Sequence, residues 1–403
     1  MRTGHLIVLC VIALMCLVAP AVACMWDYDT LRDEQRGLPT VAAVLAGKWE
    51  KHSDFFYEQR VERMRETLAE SPEDLDALDN LAVALEKLGE IDEAIATLEP
   101  VVAEHPDRYT AHANLGTFYL HRYLKQRDRS DLDRGIGHIE RALQINPDAH
   151  FGRERYQLQL ATFARDAIDD PSLLDGGSFV MPMLIGERLN GLDDKPADER
   201  AARRDDLLQL VRGSGHNDAT AEEIDHAIEG IVGMIRFGTE TSPHLYYALG
   251  DLLAARDDRH LAGWAYLRAI EFGHPRPEQV REAFAQATGL VSPEVTVESL
   301  QAGLDKAKAD AAKWVAAYQA YEDDLVRRGV DTTAGASYAA FYAEHGDARP
   351  ALGFSLDDHL PRGPERLIYG ALLLLASIPV VLTLIVVIAW RRRRRKQRAG
   401  AFA

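Results

Sequence analysis

The feature that most constrains this chain is a spacing of small and apolar residues that recurs three times. In LDALDNLAVALEKLGEIDEAIATLEPVVAEHP, Leu75 is taken as position 1. Leu78, Leu81, Ala82, Leu85 and Gly89 then fall at positions 4, 7, 8, 11 and 15, and Ala94, Leu98, Val101 and Pro106 at 20, 24, 27 and 32. Counting from Tyr109, Leu115, Gly116 and Tyr119 fill 7, 8 and 11. Seven extra residues follow, after which Gly135, Ile139, Ala142 and Pro147 take the roles of 20, 24, 27 and 32. From Pro243 the register returns without a gap in Tyr246, Leu249, Gly250, Leu253, Ala262, Tyr266 and Ala269. Each unit reads as two antiparallel amphipathic helices, with small residues where they approach and a proline ending the second. Such units bury their apolar faces by stacking, so the expected fold is an all-α helical-repeat solenoid. The seven extra residues are expected in the turn between the helices of the second unit.

This spacing resembles the tetratricopeptide repeat. FFYEQRVERMRETLAESP, ending at Pro72, looks like the second helix of a degenerate unit, and HFGRERYQLQLATFARDA like a helix stacked on the second unit. The chain as a whole resembles membrane-anchored bacterial envelope proteins of this type, and its opening CMWDYDTL resembles the start of some bacterial members of uncharacterised function, a likeness that carries no activity. The resemblance implies that first helices line a concave groove for an extended or helical peptide. By position that groove would present Asp76, Asp79, Val83, Glu86 and Lys87, then Thr110, Ala113, Thr117, Leu120 and His121, then His244, Tyr247 and Asp251. The family's best-known groove holds a carboxylate, a task for which Asp76 and Asp79 are ill suited. An acidic groove instead implies a basic or amphipathic protein or peptide partner. A merely solvated helix face fits the same residues.

The rest of the chain divides around these units. Residues 24–74 form an N-terminal extension with the degenerate repeat, and 75–168 the array. Residues 169–219 read as an inserted loop with a short helix around the apolar island FVMPMLIG. Residues 220–290 are helical and hold the further unit at 243–276. Ile224, Ala227, Ile228, Ile231, Val232 and Ile235 recur at helical spacing from Ala221 to Phe237. Long capping helices follow over 291–345, and Gly346 to Arg366 reads as a Pro/Gly-punctuated linker.

The two ends carry addresses. Arg2, the apolar run Leu6 to Val18 and Ala21-Val22-Ala23 before Cys24 have the pattern of a secretory signal over residues 1–23. Cys24 is a candidate lipidation site, although Ala21 stands where such signals prefer leucine; ordinary cleavage would also leave Cys24 first. Leu367 to Trp390 is 24 residues without a charge, roughly 36 Å as a helix and long enough for the hydrocarbon core. Tyr369 and Trp390 suit its interfaces, and Arg391 to Arg395 follow as a cytoplasmic flank over 391–403. The expected topology is a single-pass membrane protein with its body outside the cytoplasm. That body is more acidic than the net charge of −17, because Arg2 and the arginine run lie at the ends. Such a body repels phosphate backbones, so nucleic-acid binding is disfavoured.

No catalytic residue, metal site or cofactor is expected. The chain lacks G-x-S-x-G, H-E-x-x-H, a phosphate loop and C-x-x-C-H. His112 and His121 are nine apart on one helix, too far for two ligands from one face. RGSGHND, Arg212 to Asp218, resembles a flexible turn more than a triad, and DYDT, Asp27 to Thr30, a polar segment more than a cation site. The expected work is that of a scaffold or adaptor, with self-association as an alternative, although Gly370 has no small residue four positions on. Two other readings are an enzyme with its site in Asp170–Thr220, and a polysaccharide binder using Trp26, Trp49 and Tyr57.

Overall fold

Local chemistry sets the ends of the helices. The computed structural model describes residues 27–28, 37–147, 152–186, 197–215, 217–289 and 296–349, and no strand occurs among them. A short α1 (Val41–Ala46) is followed by α2 (Asp54–Glu70), which starts where the Ser53 side chain accepts from the Phe56 amide. The first strong unit is α3 (Leu75–Lys87) and α4 (Ile91–Glu104), with Asp74 capping α3 and Gly89, at φ +88°, making the turn. The second unit is α5 (Tyr109–Gln126) and α6 (Arg129–Ile145).

The seven extra residues of that unit lie in its helices and not in its turn. α5 has 18 residues against 13 in α3, α6 has 17 against 14 in α4, and only Arg127 and Asp128 separate the pair. Tyr123 and Leu132 are buried, so the apolar stripe continues through the added turns and keeps them helical. The small positions allow close approach: a Cβ on Gly116 would lie 2.6 Å from Ile139 Cγ1, and one on Gly250 2.5 Å from the Tyr266 ring.

Next come α7 (Arg153–Asp169), a 3-10 turn (Pro171–Gly176), α8 (Met181–Ile185), α9 (Ala197–Ser214) and α10 (Ala221–Phe237). α7 and α10 pack directly on each other, so the segment between them is an insertion into a helix pair. A Cβ on Gly230 would strike the Tyr156 ring across this contact. Thr220 and Glu223 close a reciprocal capping box at the start of α10. The insertion is more ordered than a loop. Phe179, Val180, Met181, Leu184 and Ile185 are all buried in the largest core, together with residues of the helices that follow. The apolar island is a packed anchor.

The later unit is α11 (Pro243–Ala255) and α12 (Arg259–Glu271), followed by α13 (Pro277–Thr288), α14 (Val297–Arg327), a 3-10 turn (Gly335–Tyr338) and α15 (Ala339–His345). The 31-residue α14 packs on α1, α2 and α12, tying the first helices to the later unit. Two buried carboxylates fasten this closure. Glu322 binds His52 Nδ1 at 2.7 Å and accepts from the Tyr318 and Tyr338 hydroxyls at 3.1 and 2.5 Å. Glu50 accepts from Tyr342 at 2.9 Å and pairs with Arg236 and Arg349.

Arg349 corrects the expected linker boundary at Gly346. Its Nε donates to the Gly37 carbonyl at 2.8 Å and its side chain is buried on Glu50, so the first residues of that stretch belong to the folded body. The described residues all fall in one unit, Met1–Arg349. Cys24, Trp26, the signal segment, the remainder of the linker, Leu367–Trp390 and the basic tail lie outside the described residues. Among the described residues no helix is long and apolar enough to cross a membrane.

Candidate partner-binding site

The groove positions inferred from the repeat spacing are largely occupied by the chain itself. Asp79 is buried, with Oδ2 bound to Arg108 Nη2 at 2.5 Å and to Thr110 Oγ1 at 2.7 Å. Burial pushes its carboxyl up, against the pull of Arg108 and Thr110. Asp76 stays exposed and meets the same guanidinium at 2.7 Å. Glu86 Oε1 lies 2.6 Å from His121 Nδ1, whose Nε2 lies 3.1 Å from Thr239 Oγ1. Burial opposes the Glu86 charge, yet the His121 ring holds its carboxyl down at about 2. Lys87 Nζ donates to the Phe237 carbonyl at 3.3 Å. Thr117 accepts from Gln157 Nε2 at 3.1 Å, and Val83, Ala113 and Leu120 are core residues. The connection between α10 and α11 therefore sits on α3 and α5, where an open groove would hold a ligand.

The downstream positions are covered in another way. His244, Tyr247 and Asp251 on α11 are all buried, and α9 from the insertion packs on α11 and α13. Arg212 on α9 sends Nε to Asp251 Oδ1 at 2.8 Å and Nη2 to the Tyr247 hydroxyl at 2.7 Å. Tyr266 donates to the same Asp251 oxygen at 2.7 Å. Burial works against the Arg212 charge, but Asp251 holds it charged well above its usual range; burial pushes Tyr247 up to about 12. The sequence reading passed over Arg212 while weighing Ser214, His216 and Asp218 beside it. His216 lies outside the described residues.

What remains accessible is a cleft of about 340 Å³ at the edge of this filled face. Val83 and Lys87 of α3 meet the segment Trp49–Asp54, the end of α10 and Gln319 of α14 there. Lys51 lies over the Trp49 ring at 4.2 Å and pairs with Glu240. Asp27, the first residue of the DYDT motif, is fixed to Arg60 at 3.0 Å; Asp29 and Thr30 lie outside the described residues. Trp49 and Tyr57 are mostly buried and form part of the cleft wall, and Trp26 lies outside the described residues. Asp54 is exposed at the start of α2, and half of the Glu240 side chain faces solvent. Acidic groups thus occupy the rim, while the deeper charges are paired. Among the described residues no group of three or more His, Cys, Asp or Glu is arranged to hold a metal ion.

Residues 61–116 match the family model for the tetratricopeptide repeat, a span from the middle of α2 to the middle of α5. No curated protein and no solved structure matches the chain. The matched span contains the pair α3 and α4 with its stacking on α2 and on the first half of α5. Over this span the chain is similar to the tetratricopeptide repeat, and its helices pair there as that repeat implies.

Proposed function

We propose that this protein is a membrane-tethered, extracytoplasmic scaffold that binds a protein partner at the 340 Å³ cleft beside α3, and that it works by binding and not by catalysis. The observation that carries this reading is the division of charge. Side chains on the concave face are paired within the chain, while Asp54 stays exposed at the cleft rim beside the half-exposed Glu240, which pairs with Lys51. Tetratricopeptide repeats are interaction modules, and an acidic rim favours a basic or amphipathic segment. The cleft is at the small end of the roughly 300–1,000 Å³ range of ligand pockets, which suits a short extended segment inserting from a larger contact.

The binding reading also draws support from the buried cluster around Arg212. Its perturbed groups move away from neutrality, Tyr247 up and Arg212 further up, whereas a general acid or base works best with its pKa near the operating pH. The tether and the outward location rest on the signal pattern at 1–23 and on Leu367–Trp390 with its arginine flank.

The test is chemical crosslinking in the native membrane, followed by purification and mass spectrometry of wild type and Asp54→Arg. Asp54 has no buried partner to lose, so the variant should keep its fold and lose roughly tenfold of the captured partner. Equal recovery of the same partner from both proteins would remove the cleft rim from the interface.

A further inference from the structure

The α9 helix occupies the downstream groove as a ligand would, and it does so incompletely. It enters from an insertion, and α7 packs directly on α10 across the point where that insertion leaves and returns. The packing of α7 on α10 thus continues across the insertion. Its first ten residues, ADERAARRDD, contain no large apolar side chain. Anchoring comes from Leu207, Leu208, Val211 and Arg212, all buried, while Asp205, Asp206, Gln209 and Leu210 face outward.

Space remains on both sides of this anchor. One cavity of about 190 Å³ lies among Leu208, Arg212, Gln279, Glu282 and Gln286, with Arg212 Nη1 reaching Gln286 Oε1 at 3.5 Å on its edge. A wider, open one of about 610 Å³ lies between Leu210 and Gly213 on α9 and Ala285 and Gly289 on or beside α13. Gln279 Oε1 is buried there without a hydrogen-bond partner. Protein interiors are normally close-packed, so a helix bordered by a cavity and an open depression has fewer contacts than its groove can offer. The polar recognition is nevertheless specific: a guanidinium fork meets a carboxylate and a tyrosine hydroxyl supplied by one helix.

We propose that the face of α11 and α13 is a receptor for an arginine-presenting amphipathic helix of a partner protein, and that α9 holds this face closed as an internal substitute. The partner helix carries leucine or valine on the face that presents arginine, as α9 does in Leu207, Leu208, Val211 and Arg212. Asp251 and Tyr247 receive its guanidinium, a polar donor beside it meets Gln279 Oε1 in the smaller cavity, and an apolar side chain covers the open depression beside Leu210. Exchange of α9 for that helix links partner binding to release of the insertion. This receptor lies on helices other than those of the α3 cleft, so the two readings stand or fall separately.

Hydrogen exchange on the full-length protein in detergent tests the proposal. The amides of Leu207–Arg212 should exchange roughly tenfold or more faster than those of Leu245–Leu253 on α11. An excess of isotopically heavy peptide, residues 197–215 of this chain, should then strip protection from the chain's own α9 while α11 stays protected. The same peptide carrying Arg212→Gln should have no such effect. Exchange of α9 and α11 as one unit would overturn the proposal, as would a fast α9 that the peptide leaves unchanged. A concentration-dependent dimer with α9 protected would overturn it in favour of exchange between two copies of the chain.

Discussion

Replacing Glu50 with alanine is expected to destabilise the folded body by about 3–5 kcal/mol, a large part of a typical domain's stability. The Glu50 side chain is fully buried and is the shared counter-ion of Arg236 and Arg349, which are almost as deeply buried. It also accepts from the Tyr342 hydroxyl at 2.9 Å. Truncation would leave two guanidinium groups inside the protein facing each other's charge, and neither can shed its proton. The damage should be directional. Arg349 anchors the end of the described chain to Gly37, so loss of Glu50 should free the C-terminal turns around α15 before α3–α6. Chemical denaturation measures the size, and limited proteolysis, with first cleavage near α15, measures the direction. Glu50→Gln should recover part of the loss, because its amide oxygen can still accept from one arginine. An alanine variant within 1 kcal/mol of wild type would show that the closure does not depend on this carboxylate.

Acid should unfold this protein through two pairs of buried histidines. His244 and His274 stand with ring centroids 4.8 Å apart, and His112 Nδ1 lies 3.0 Å from His138 Nδ1. Burial, reinforced by the neighbouring ring, lowers His244 to about 3 and His138 to about 4. Burial likewise lowers His274 to about 4, helped by the nearby Arg276 charge. The groups facing the second pair are Arg141, Asp107, Arg134, Glu99 and Tyr119. Below the ordinary histidine value near 6.5 the unfolded chain takes up protons that the folded chain refuses, so stability falls as pH drops. The loss accumulates from pH 6.5 down to about 4 for His138 and His274 and to about 3 for His244, and amounts to several kcal/mol. It levels off once the folded form is also protonated. Denaturation midpoints at pH 7, 6, 5 and 4 measure the slope. His244→Phe keeps a ring against His274 and should shrink the total by about 2–3 kcal/mol. A flat profile in wild type over this window would mean that these rings are solvated.

How much of this was legible in the sequence depends on how far apart the interacting residues lie. The helix pairs were legible because each carries its own apolar period, and because Gly116 and Gly250 are forced to be small by the helix that crosses them. The fate of the groove was not. Lys87 finds its acceptor at Phe237 and His121 finds Thr239, in a connection more than a hundred residues further along the chain. On a helical wheel such side chains look like a solvated or partner-binding face. Glu50 and Arg349 are separated by almost the whole body, and neither stands in a recognisable motif. α9 escaped for a different reason: Ala, Arg and Asp in its first half give no amphipathic stripe, and its four anchoring side chains span less than two turns. The apolar island before it was visible as hydrophobic, but its burial follows from contacts with α10–α12 that no local pattern encodes.

The central claim is that recognition takes place at the cleft, because the concave face is filled from within. Site-specific photocrosslinking tests it most directly. A benzophenone amino acid would replace Gln319 at the cleft in one full-length protein and Asp76, the exposed concave position, in another, with irradiation in the native membrane. The account predicts a covalent partner adduct from position 319 and none from position 76. An adduct from position 76 with none from 319 would contradict it, and would show that the concave face opens to receive a partner.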